Sequence, residues 1–160
     1  MAKINDLSKL GEATGFKSSN PPKKKPYNEH KNKDKQQNSM TKLDIHKILS
    51  INSLGLEELR TLLDDVEGFV KQKEVSNLTA GQVRTIYAII QEVEDIKGLH
   101  LKRPELAFVA AKQDSNNVKE VLNFFMDIIK QATTKEHLQN IKDFTASFLK
   151  YHKLYGTNKQ

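Results

Sequence analysis

From Leu43 onward, apolar residues return at steps of three and four, and no segment alternates with a period of two. That spacing restricts the chain to helices, because a strand with one buried face requires alternation. Leu56, Leu59, Leu62/Leu63, Val66 and Phe69/Val70 form one stripe about four turns long. Leu43 to Ile51 reads as a shorter helix or helical turn before it. Thr79 and Gln82 have the spacing of a capping box, with Leu78 and Val83 placed as a hydrophobic staple. The helix they open presents Val83, Ile86, Tyr87, Ile90 and Val93, and Gly98 reads as its stop. Pro104 and Glu105 suit the first turn of a shorter helix through Leu106, Ala107, Val109 and Ala110. Asn117 and Glu120 then mark the start of a helix carrying Val121, Leu122, Phe125, Ile128 and Ile129. Thr133 and Glu136 open the last, with Leu138, Ile141, Phe144/Thr145, Phe148, His152 and Tyr155 on one stripe before Gly156. Short loops favour antiparallel neighbours, so the expected fold is all-α, a compact helical bundle of about five to six helices.

The N-terminal residues follow different rules. Residues 1–40 lack periodicity, contain Pro21-Pro22-Lys23-Lys24-Lys25-Pro26, and have too few apolar groups to offset the entropy of ordering. They are expected to form a disordered basic arm, followed by a single helical domain over 41–156. Residues 1–42 hold ten Lys against four Asp and Glu, whereas the remaining residues hold sixteen cations and sixteen carboxylates. The basic balance therefore belongs to the arm. Its lysines read either as a solubilising tail or as an electrostatic contact with nucleic acid or another acidic surface.

Several chemistries find no support in the residues. The chain has no cysteine, which excludes disulfides, thiolate metal sites and cysteine nucleophiles. No signal-peptide core and no membrane-length apolar run occurs, so a cytoplasmic location is expected. The five histidines share no metal-ligand spacing on a helix face, and His152 reads as a core or interface residue. Adjacent acids such as Asp64-Asp65 and Glu94-Asp95 diverge on a helix and read as solvated faces. No phosphate-cradling glycine loop or nucleophile elbow is present. The expectation is a protein that binds partners and is not an enzyme, with no metal and no cofactor.

Basic residues on the helical body suggest what it binds. At about 100° per residue, Arg84 points away from the apolar face of its helix, with Gly81 and Ala88 leaving little bulk beside it. It reads either as an ordinary surface arginine or as a bidentate phosphate contact. Lys135, Lys142 and Lys153 share one direction on the last helix, beside Gln139. Lys102 and Arg103 precede Pro104, and Lys112 ends that helix, where a cation also complements the helix dipole.

Three segments in series resemble a known family. Leu78–Arg84 (LTAGQVR) resembles its helix-opening LT-x-x-Q-x-R pattern. Leu101–Lys112 (LKRPELAFVAAK) resembles its central L-x-P-x-L-A-Y-x-A-x-R block, with Lys112 in place of the arginine. Phe144–Gly156 (FTASFLKYHKLYG) resembles its ending F-x-E-A-x-V-A-Y-H-K-x-Y-G, departing at Ala146-Ser147 and at Lys150. The family is the small, inner-filament subunit of type III-A CRISPR Csm effector complexes, and the resemblance spans about residues 76–156. It implies a helical bundle stacking in several copies beside the backbone subunits and against the large polymerase-like subunit. It also implies contact with crRNA and target RNA through phosphates, sequence being read by base pairing. On that resemblance Arg84 and Lys112 are the leading RNA contacts, and Lys102, Arg103, Lys150 and Lys153 the next candidates. Tyr151, His152 and Tyr155 fall in a motif that suits core or subunit interface. Two alternatives stay open beside this: the small subunit of a type III-B (Cmr) complex, and a helical protein–protein adaptor with no RNA role.

Overall fold

The structure is a computed structural model, and it describes residues 40–157. The expected arm, apart from Met40, lies outside the described residues. Every regular element among the described residues is helical. In chain order they are α1 (Ile45–Leu49), a 3-10 turn (Ile51–Ser53), α2 (Leu56–Lys71), α3 (Lys73–Ser76), α4 (Ala80–Gln91), α5 (Ile96–Leu101), α6 (Arg103–Ala111), α7 (Asn116–Gln131) and α8 (Lys135–Tyr155). The all-α expectation holds, with more breaks than the periodicity alone suggests.

Those breaks have local causes. Thr79 caps α4 as expected: its Oγ1 accepts from the Gln82 N–H at 3.1 Å, and Gln82 Oε1 accepts from the Thr79 N–H at 2.8 Å. That helix stops at Gln91, well before Gly98. Asp95 is extended (φ −141°, ψ 170°), and its carboxylate accepts from the Gly98 N–H at 2.6 Å. A new helix therefore starts at Ile96, and Gly98 lies inside it instead of ending the previous one. At α7 the cap residue is Ser115, without a side-chain bond, and not Asn117. At α8 it is Thr134 instead of Thr133, with Oγ1 accepting from the His137 N–H at 3.1 Å. Thr133 uses its own N–H to donate to His137 Nδ1 at 3.1 Å.

Helix α8 is the element around which the others pack. The helices α1, α2, α4 and α5 and the 3-10 turn all lie against it, while α6 and α3 pack on α7. Paired contacts give the directions. Asn52 donates to Asn140 near the start of α2, and Tyr155 donates to Glu67 near its end, so α2 and α8 run parallel. Gln91, ending α4, donates to the Lys142 carbonyl at 3.0 Å. The carbonyl of Leu78, just before α4, faces His152, so α4 and α8 run antiparallel.

Five fully buried phenylalanines fill the centre: Phe69 from α2, Phe124 and Phe125 from α7, and Phe144 and Phe148 from α8. Their ring centroids lie 5.3 Å apart for Phe69–Phe124 and for Phe125–Phe148, and 5.6 Å for Phe125–Phe144. Burying each such side chain is worth about 1.5–3 kcal/mol, which makes this cluster the main apolar tie between the three helices. One polar residue is buried with them. Asn140 is 2% exposed, donates to the Leu49 carbonyl and accepts from the Asn52 N–H at 3.1 Å. It satisfies two backbone groups where α1 gives way to the 3-10 turn, which fastens that corner to α8. Met40, 5% exposed, belongs to this core. Thr41 beside it exchanges two hydrogen bonds with the Gln72 side chain, at 2.8 and 3.1 Å.

Candidate nucleic-acid interface

The capping box that starts α4 also sets the position of Arg84, one turn further along. Arg84 is exposed, as are Gly81 and Ala88. A Cβ on Gly81 would meet only Thr79 Oγ1, at 3.8 Å, an ordinary contact. Packing therefore does not demand a glycine there, and its lack of a side chain leaves the surface beside Arg84 open.

Gln82 joins this segment to the end of α6. Its Nε2 donates to Gln113 Oε1 at 2.8 Å, and Gln113 Nε2 donates in turn to the Val109 carbonyl at 3.2 Å. Arg84 and Lys112 thus each lie within two residues of one side-chain bond between α4 and α6. At the opposite ends of these two helices, Lys102 Nζ reaches Glu92 at 3.7 Å and Glu105 at 3.0 Å. The helices α4 and α6 run antiparallel with a polar link at each end. The hydrogen bond that Lys102 donates to Glu105, with both carboxylates nearby, holds its ammonium above the usual lysine pKa.

The six basic candidates therefore fall into different settings. Arg84 and Lys112 are exposed, and no carboxylate among the described residues forms an ion pair with either. Lys112 Nζ sits 4.1 Å from the ring centroid of Phe108, one helical turn earlier. Lys102 is half-buried and shared between two carboxylates. Arg103 is half-buried, with Nε enclosed and without a hydrogen-bond partner among the described residues. Lys150 and Lys153 are exposed in the last turns of α8. Phe108 stands at the aromatic position of the central motif, and an aromatic four residues before a lysine on one helix is a readable pairing.

The motif at the C-terminus makes contacts within the fold. Tyr155 donates its hydroxyl to Glu67 Oε1 at 2.8 Å, stacks against Tyr151 at 6.5 Å, and has Lys71 Nζ 4.4 Å from its ring centroid. Lys71 first, then the Tyr155 hydroxyl, lower the Glu67 pKa from its usual range. His152 is 4% exposed beside Phe148, and burial holds its imidazole below the ordinary histidine pKa. The carbonyls of Val75 and Leu78 offset part of that shift. Past Gly156, the Thr157 N–H donates to the Ser76 carbonyl at 2.9 Å. These contacts join the end of α8 to α2 and α3.

Among the described residues no three His, Asp or Glu side chains stand close enough together to hold a metal ion. No helix among them is long and apolar enough to cross a membrane.

Comparison with curated proteins and with solved structures returned no match. A family model described as Csm2 Type III-A matches residues 44–158. The matched span starts at the cap of α1 and contains the eight helices of the described residues, so it includes α2, which the resemblance in the sequence leaves outside. The chain with this α8-centred bundle belongs to the Csm2 Type III-A family.

Proposed function

We propose that this chain is a non-catalytic structural subunit of a type III-A Csm ribonucleoprotein in the cytoplasm. In it, several copies stack beside the backbone subunits and the large polymerase-like subunit. The family itself carries the coarser statement, a type III-A Csm structural subunit. It also favours the III-A assembly over the III-B one. The finer statement is that Arg84 and Lys112 contact phosphates of crRNA and target RNA. One observation carries it: the Gln82–Gln113 bond joins the two segments that bear these cations, and both cations lack a carboxylate partner among the described residues. A free guanidinium and a free ammonium on adjoining helices suit two phosphates of one backbone. Lys150, Lys153 and Arg103 supply further positive charge, whereas Lys102 must share its charge with Glu92 and Glu105.

The test is a salt titration of RNA affinity in the assembled complex. Arg84→Ala and Lys112→Ala should each weaken binding similarly across RNA sequences and reduce the salt slope by about 1 for each phosphate no longer neutralised. Unchanged affinity in both variants would overturn Arg84 and Lys112 as the RNA contacts.

A further inference from the structure

The outer side of α5 and α6 carries features that phosphate contacts leave unused. Leu101 is 77% exposed and Phe108 60%. Around Phe108, the exposed residues Pro104, Ala107 and Ala111 are all short and leave much of the side chain open to solvent. Lys112 Nζ lies over the ring at 4.1 Å and has no ion-pair partner among the described residues. Next to it, between α6 and α7, is a shallow pocket of about 180 Å³. Ala107, Ala110, Ala111 and Met126 line it with apolar atoms, and Lys119 and Asn123 supply its polar groups.

An apolar protein surface docked on Phe108 would bury the Lys112 ammonium with nothing to pair it, which is costly. A nucleotide satisfies both groups, since its base offers a π-face to the ring and its phosphate an anion to the cation. Stacking on an aromatic side chain requires a base that is not already stacked within a duplex.

We propose that Phe108, Lys112 and the adjoining α6–α7 pocket form a site for one unpaired nucleotide of single-stranded RNA. The base stacks on Phe108, Lys112 holds a phosphate, and the polar groups of Lys119 and Asn123 face the neighbouring sugar and phosphate. The inference rests on α6 facing RNA, and it adds a preference for unpaired strands that phosphate contacts cannot provide.

The full chain is titrated with a labelled oligoadenylate, alone and annealed to oligouridylate, at several salt concentrations. Phe108→Ala should weaken binding of the single strand about tenfold, leave the salt slope unchanged and leave the duplex unaffected. Phe108→Tyr should retain binding, and Lys112→Ala should reduce the slope by about 1. Because Phe108 is exposed, circular dichroism should show the same fold in all variants. Equal losses for single strand and duplex, or no loss in Phe108→Ala, overturn the site. A changed sedimentation coefficient with RNA affinity intact assigns the face to a protein instead. Absence of oligoadenylate binding by the unaltered chain at low salt also overturns it. The phosphate reading is judged separately, by Arg84→Ala and Lys112→Ala in the assembled complex.

Discussion

A Cβ on Gly156 would lie 2.6 Å from the His152 carbonyl oxygen and 2.7 Å from the imidazole Cε1. The backbone there (φ −61°, ψ 133°) is open to any residue, so this glycine is required for space and not for conformation. Gly156→Ala should destabilise the protein by about 1–3 kcal/mol, as overpacking does, read from urea denaturation midpoints. His152 beneath it gives a second prediction. Burial lowers its pKa, so the unfolded chain takes up a proton there more readily than the folded one. The stability tied to the neutral ring is complete above the ordinary histidine value, about pH 6.5, and is lost as pH falls below it through the depressed folded value. Thermal melts over a pH series should show that acid slope, and His152→Leu should flatten it. A slope unchanged in the variant would assign it to other groups. The sequence places His152 on an apolar stripe, which suits core and interface equally. Only the approach of Gly156, Val75 and Leu78 distinguishes a ring enclosed by its own chain.

Long helices with one buried stripe were legible; short ones were not. The stripes of α2, α4, α7 and α8 repeat over enough turns for their period to be read. By contrast α3 has four residues and α5 six, too few for a period, and local chemistry decides where they begin. The Asp95 side chain, for example, bonds the Gly98 N–H and restarts a helix that the apolar spacing carried onward. Capping chemistry was readable where both partners were in the sequence, as at Thr79 and Gln82. Thr79→Ala should cost about 1 kcal/mol, measured by thermal or urea unfolding. Because that cap starts the helix bearing Arg84 and Gln82, a cost near zero would mean that packing on α8 alone holds α4 in place.

In the molecule as a whole, the formal charge and the proposed contacts lie in different parts of the chain. The excess of lysine is N-terminal to Leu43, while the matched family span starts at residue 44. Deleting residues 1–39 should therefore weaken general RNA affinity at most and leave assembly intact, as measured by pull-down of the complex and by RNA titration. The truncation must keep Met40, which is part of the core. Failure to assemble after this deletion would show that the arm does more than supply charge. Apolar periodicity was sufficient to make the chain all-helical, since it depends on neighbours three and four residues apart along the sequence. The three motifs were likewise enough to suggest the family before any fold was known. Which cations remain free was decided in three dimensions. Lys102 has a local partner in Glu105, three residues on, but Glu92 also approaches it from beyond its own helix, while no carboxylate among the described residues reaches Lys112. The Glu92–Lys102 pairing joins two different helices, and no local pattern encodes it.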